Sequence, residues 1–263
     1  SVFTAISAFC NAGFDLFGRF GAYSSLVPYV NNYYVQAVVM FMVMAGGLGF
    51  MVWVELAEYR KKRHLSLHAK VVLQFSAIFW VGGAVLLALL EWSNPKTMGG
   101  LSVPSKLMAA LFQSVSTRTA GMNTIDLAAC SPISKLLMSV LQFIGAAPGS
   151  TGGGVKVTTF AVLILTIRSV AQGRDDCVIG GHHIESKTVY RALTIIVLGA
   201  VAAFGSAVVV YYNTAETVSV IDCIFESCSA FGTVGLSVGV TGQLNTGAKL
   251  LYMACMFMGR VGP

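Results

Sequence analysis

Three short stretches of the 263-residue chain place a glycine where a backbone could do chemistry: ISAFCNAGFD at residues 6–15, SVSTRTAGMN at 114–123 and CSAFGTVGLS at 228–237. Each closes on a small, Gly, apolar, polar tetrad. Glycine exposes neighbouring carbonyls, tolerates backbone shapes closed to residues with a Cβ, and adds no bulk near an axis. A ring of such carbonyls can replace the water shell of a potassium-like cation without supplying any full charge. Gly13, Gly121 and Gly235 are separated by 108 and 114 residues, a repeat of about 110 that is too long for a soluble solenoid. One glycine alone would be read as helix packing. Three at one repeat position point to a shared site.

A second stretch, PGSTGGGVK at residues 148–156, interrupts two half-length apolar runs at 136–147 and 157–167. Neither run spans a membrane alone, and Pro148 with four glycines disfavours a continuous helix. Irregular backbone at membrane depth has to line a cavity or be buried in protein. Discontinuous membrane helices mark substrate paths. Gly149 and Gly154 also have the spacing of a phosphate-binding loop, but Val155 holds the Lys position and Lys156 comes one residue late. Lys156 and Arg260 are costly inside a bilayer, about 2.5 to 3.5 kcal/mol each. They are expected to face a cavity or to snorkel.

The elements that position these residues follow from the charge pattern. Hydrophobic residues make up 56% of the chain and charged residues 11%, too few for a soluble protein of this length. Uncharged gaps hold membrane spans, placed at residues 35–54, 71–90 and 192–212. Short apolar segments at 105–116 and 220–231 lead into the second and third glycine tetrads and read as re-entrant pore helices. The order between tetrads is constant: span, basic loop, span, external loop, pore helix.

Arg60, Lys61, Lys62, Arg63 and Lys70 fill one loop, and Arg168, Arg174, Lys187 and Arg191 fill another. By the positive-inside rule both face the cytoplasm, which puts all three tetrads on the outer side. The net charge of +6 then reflects topology, and the RKKR run abuts a span, which disfavours nucleic-acid binding. Six cysteines without a Cys-x-x-Cys pair read as small buried side chains. Cys177, His182, His183 and Glu185 lie close in sequence, but their spacing matches no zinc pattern. The chain opens on Ser1 and stops at Pro263 inside an apolar run, so it is expected to be a piece of a longer protein.

These motifs resemble the Trk, Ktr and HKT superfamily of potassium transporters, built of four helix, pore-loop, helix repeats per subunit. NAGFD, TAGMN and TVGLS resemble its second, third and fourth filter segments, and FMGRVGP is similar to a stretch of the last helix. GAAPGSTGGGVKVTTF, residues 145–160, resembles the KtrB form more than the TrkH form. The resemblance implies an all-α membrane protein with repeats set pseudo-fourfold around one ion pore. It divides the chain into residues 1–63, the end of repeat two, residues 64–175, repeat three, and residues 176–263, a shortened repeat four.

It further implies a potassium filter formed by Asn11, Ala12, Gly13 and Phe14, by Thr119, Ala120, Gly121 and Met122, and by Thr233, Val234, Gly235 and Leu236, mainly through backbone carbonyls. Below it an intramembrane gate is expected at Gly145, Pro148, Gly149, Ser150, Thr151, Gly152, Gly153, Gly154 and Lys156, with Arg260 beside it. The implied protein is no enzyme and carries no cofactor; potassium is its cargo, with transported sodium the alternative left open. Its implied setting is a bacterial plasma membrane, as a homodimer on a cytoplasmic nucleotide-binding regulatory subunit of the KtrA type.

Overall fold

The computed structural model of the chain describes residues 2–21, 24–173, 178–179, 182–214 and 217–262. Helices dominate, in the order α1 (Val2–Phe9), α2 (Tyr33–Gly47), α3 (Phe50–Lys62), α4 (Leu67–Glu91), α5 (Val103–Ser116), α6 (Pro132–Phe143), α7 (Val157–Ala171), α8 (Ser186–Asn213), α9 (Val220–Phe231) and α10 (Thr246–Val261). A two-residue antiparallel pair, β1 (Val178–Ile179) with β2 (His182–His183), lies between α7 and α8. Cys177 and the side chains of His182 and His183 lie outside the described residues, as does Arg174.

Helix starts are written locally. Side chains of Asn32, Ser66, Ser102, Ser131 and Asn245 accept the backbone N–H three residues on, capping α2, α4, α5, α6 and α10. Pro132 opens α6, where its missing N–H costs nothing. Among the described residues two helices are long and apolar enough to cross a membrane by length and composition, α4 and α8, and they contain the spans expected at 71–90 and 192–212. Only 33% of the apolar stretch of α4 and 28% of that of α8 is buried. Ile78, Val81, Val85 and Leu89 of α4, and Val201, Phe204, Val208 and Val209 of α8, face outward. Such apolar flanks suit lipid rather than water.

The span expected at 35–54 is not one helix: α2 and α3 meet at a 98° bend. Gly49 adopts φ 83°, a left-handed conformation that favours glycine, and a Cβ there would stand 2.5 Å from the Pro148 carbonyl. The carbonyls freed at the end of α2 do not go unpaired. Gly46 O accepts Thr151 N at 3.2 Å, Gly47 O accepts Ala147 N at 3.1 Å, and Trp53 Nε1 donates to Ala45 O at 2.8 Å. The glycine-rich stretch of another repeat therefore completes this bend.

The short helices α5 and α9 are packed among the other helices. α5 lies on α4 and α2, and α9 lies on α8, α6 and α10. From Phe225 to Phe231 every residue of α9 is buried, which fits a helix enclosed by protein on all sides. The ion pair of Lys135 with Asp222, 2.7 Å, ties α6 to α9.

Candidate functional site

The three glycine tetrads meet. A Cβ on Gly13 would lie 2.9 Å from Ala120 O, 3.3 Å from Gly121 Cα and 3.4 Å from Val234 O. One on Gly121 would overlap the Val234 carbonyl, and one on Gly235 would lie 3.8 Å from Gly121 Cα. Residues more than a hundred positions apart thus share one centre. All three glycines have positive φ, 73°, 78° and 92°. Two residues before each glycine stands a residue with another left-handed φ: Asn11 at 49°, Thr119 at 104° and Thr233 at 51°. For a β-branched Thr that conformation is an outlier, held only because its surroundings enforce it.

Each turn is held by a serine near the end of the helix before it. Ser7 Oγ donates to Phe14 O at 2.7 Å, Ser229 Oγ to Leu236 O at 2.6 Å, and Ser116 Oγ to Met122 O. The carbonyls of Phe14, Met122 and Leu236 therefore point back toward their own helices. Those of Asn11, Ala12 and Gly13, of Thr119, Ala120 and Gly121, and of Thr233, Val234 and Gly235 accept no hydrogen bond among the described residues. Two of them, Ala120 O and Val234 O, lie against the point where the glycines meet, acceptors that a cation there would engage. The C-terminal ends of α1, α5 and α9 abut the turns, and their negative dipole ends suit a cation there.

On one side the turns open into a cavity of about 410 Å³ lined by Ala12, Phe14, Glu226, Gly235 and Tyr252 among others. Glu226, 3% exposed, accepts from Ser237 Oγ, Val238 N, Thr241 N and Thr241 Oγ1 at 2.6–3.0 Å. A buried carboxylate survives with that many donors. It fixes the chain leaving the fourth-repeat turn.

Residues 144–156 form a loop between α6 and α7, so Gly149 to Gly154 follow a helix, not the strand that a phosphate-binding loop requires. The neck closes through Gly145 N to Val155 O, 2.9 Å, and Val155 N to Phe143 O, 3.1 Å. Ser150 Oγ turns back to Ala147 O at 2.5 Å, and Gly149 O accepts Phe50 N at 3.2 Å, with Pro148 against the bend of α2 and α3.

The tip touches all three turns. Asn11 Nδ2 donates to Thr151 Oγ1 at 2.7 Å, and Thr151 Oγ1 donates to Phe9 O at 3.1 Å. A Cβ on Gly152 would stand 2.5 Å from Thr119 Oγ1, and one on Gly153 would overlap Thr233 Oγ1. Thr119 Oγ1, Thr233 Oγ1 and Asn11 Oδ1 are buried without a partner among the described residues.

Cations tie the loop down. Lys156 Nζ donates to Gly152 O at 2.7 Å, so this lysine spends its charge on the loop instead of snorkelling away. Arg260 donates to Thr151 O from α10, whose Gly259 O also accepts Gly154 N at 2.9 Å. A third cation was not among the expected site residues. Arg118, 4% exposed, donates from Nη2 to Gly145 O at 2.9 Å and reaches Ser76 O at 3.5 Å. Its signal in the sequence is a full charge inside STRTAG, between an apolar helix and Gly121.

The whole chain, residues 1–263, matches the TrkH family, described as cation transport protein. It is 35% identical over its full length to Ktr system potassium uptake protein B of Bacillus subtilis and covers 58% of that protein. It is 37% identical to the potassium/sodium uptake protein NtpJ of Enterococcus hirae, again over its full length and 57% of the relative. The chain thus spans little more than half the length of these relatives. In fold it is similar to the potassium transporter TrkH from Vibrio parahaemolyticus, with a TM-score of 0.77 at 20% identity over 97% of this chain and 54% of that one.

Proposed function

The chain belongs to the TrkH family of cation transport proteins, and from that premise we propose that it is the part of a Ktr-like potassium uptake subunit that carries three filter turns and the gate. The family is one of membrane transporters and not of enzymes, and the chain is a multi-pass membrane protein. One observation carries the proposal: three repeat-matched glycines share one centre, with the carbonyls of Ala120 and Val234 against it and engaged by no described group.

A potassium ion entering that centre exchanges water for carbonyl oxygens of Asn11 to Gly13, Thr119 to Gly121 and Thr233 to Gly235, the cargo being the missing partner. Phe14, Met122 and Leu236 serve as the outer hinge of each turn, their carbonyls occupied by serines. The residues at 1–63, 64–175 and 176–263 act as successive repeats, with the cavity beside Ala12 and Gly235 lying where a further repeat would close the ring. The loop at 145–156 crosses the inner end as a gate, since its tip meets Asn11, Thr119 and Thr233 together.

The setting proposed is a bacterial plasma membrane, with the subunit as a homodimer on a cytoplasmic nucleotide-binding partner. Uptake by the full-length protein in vesicles tests the reading. Potassium flux exceeding sodium flux is expected, and its reduction on replacing Gly121 by Ser. Equal sodium and potassium flux in the parent protein would overturn the cargo, and no cation flux at all would overturn the function.

A further inference from the structure

Arg118 is a buried guanidinium with no carboxylate within ion-pair distance among the described residues. What holds it is backbone and aromatic: Gly145 O at 2.9 Å, Ser76 O at 3.5 Å, and the faces of Phe79 and Trp80 at 5.4 and 5.6 Å. Two helix ends supply the compensating negative potential. Arg118 stands one residue beyond the C-cap of α5, Thr117, and Gly145 one residue beyond the C-cap of α6, Ile144. Cations over aromatic faces gain further when desolvated.

Neither of the other two glycine turns of this chain carries a cation at the matching position. Three residues before the repeat glycine stand Cys10 in repeat two and Gly232 in repeat four, and a Cβ on Gly232 would overlap the Gln142 carbonyl. Only repeat three carries a long cation there, and only that repeat's second helix opens into the glycine-rich loop. The fork of a guanidinium can hold two carbonyls in fixed relation, which an ammonium cannot.

We propose that Arg118 is a positioning residue that makes the neck of the loop a fixed pivot, tying Gly145 and α4 to the strained turn at Thr119. The proposal rests on the reading of the turns as a potassium filter and the loop as its gate. Lys156 and Arg260 hold the tip, at Gly152 and Thr151, and are the ties that release. The neck does not move with them. Thr119 then keeps its φ of 104° whether the tip is in place or displaced, and filter geometry is insulated from gate motion.

The test compares Arg118→Gln, Arg118→Lys and Arg260→Gln in the full-length protein, with two readouts. One is potassium over sodium flux in vesicles; the other is thermal stabilisation of the detergent-solubilised protein by KCl relative to NaCl, which needs no transport. Arg118→Gln is expected to lower discrimination by about threefold or more in both readouts. Arg118→Lys should recover part of that loss, and Arg260→Gln should raise flux with discrimination kept. If Arg118→Gln does not fold, Trp80→Leu and Phe79→Leu withdraw the aromatic shelf and should shift discrimination in the same direction. Parental discrimination in the folded variants, or one pattern for Arg118 and Arg260, would overturn the pivot. A parent protein without potassium-dependent stabilisation or flux would overturn the filter reading instead.

Discussion

Asn11 Nδ2 donates a 2.7 Å hydrogen bond to Thr151 Oγ1 across 140 residues of chain, joining one glycine turn to the tip of the loop between α6 and α7. The same hydroxyl donates to Phe9 O, so one side chain serves both ends of the contact. Replacing Thr151 by Val keeps the shape and removes both bonds, worth about 0.5–1.5 kcal/mol each. The closed form of the loop should lose roughly tenfold in population, read as a rise in basal potassium flux in vesicles. Thr151→Ser should restore the parental flux. Equal flux in Val and Ser variants would mean that the hydroxyl does not hold the loop.

The glycines are not equivalent in their tolerance of a side chain. All three have positive φ, where a residue with a Cβ is disfavoured by about 1–2 kcal/mol. At Gly121 a Cβ also overlaps the Val234 carbonyl, whereas at Gly235 the nearest atom is 3.8 Å away. Gly121→Ala should therefore abolish potassium selectivity or block flux, while Gly235→Ala keeps measurable selective transport. Potassium and sodium fluxes of the two variants, at matched protein amounts, decide it; the reverse order would contradict the convergence of the turns.

Orientation can be tested at two exposed residues beside the basic clusters, His64 and Gln172. Ser66 is unsuitable because it caps α4 and bonds Glu55, and Gly173 because its φ is 71°. Single cysteines at His64 and Gln172, in a background without reactive native thiols, should resist an impermeant reagent in intact cells and react after permeabilisation. Efficient labelling from outside would reverse the topology.

What the sequence made legible was whatever charge and apolar length encode. α4 and α8 lie in long uncharged gaps, and α9 spans the very residues expected of it, Val220–Phe231. The bend between α2 and α3 escaped notice because hydropathy runs unbroken through Gly46 to Gly49. The groups that stabilise the bend, Ala147, Gly149 and Thr151, belong to another repeat. Ser7, Ser116 and Ser229 were missed for a different reason. They precede their glycines by six, five and six residues, so strict spacing hides a shared role that only the hydrogen bonds to Phe14, Met122 and Leu236 reveal. Glu226 and Arg118 were visible as charges in apolar stretches, but not their partners: Glu226 is held by the turn that follows its own helix, and Arg118 by Gly145 beyond the end of another.

Removing the loop itself is the strongest test of a gate. Deleting residues 149–154 takes away the atoms that face Asn11, Thr119 and Thr233, and leaves the neck pair of Gly145 and Val155 in place. Potassium flux should rise and dependence on a cytoplasmic regulator should fall, with potassium over sodium preference retained, because the nine free carbonyls are untouched. Arg260→Gln should act in the same direction and more weakly. It removes the donor to Thr151 O but leaves Lys156 on Gly152 and the backbone bond from Gly154 N to Gly259 O. The deletion also frees Gly46 O and removes the acceptor of Phe50 N, so the bend of α2 and α3 loses partners and misfolding must be excluded. Thermal unfolding and monodispersity in detergent, measured alongside flux, separate the two outcomes. A folded deletion protein whose flux and regulation equal those of the parent would reduce residues 149–154 to a packing element, and Arg260 with them.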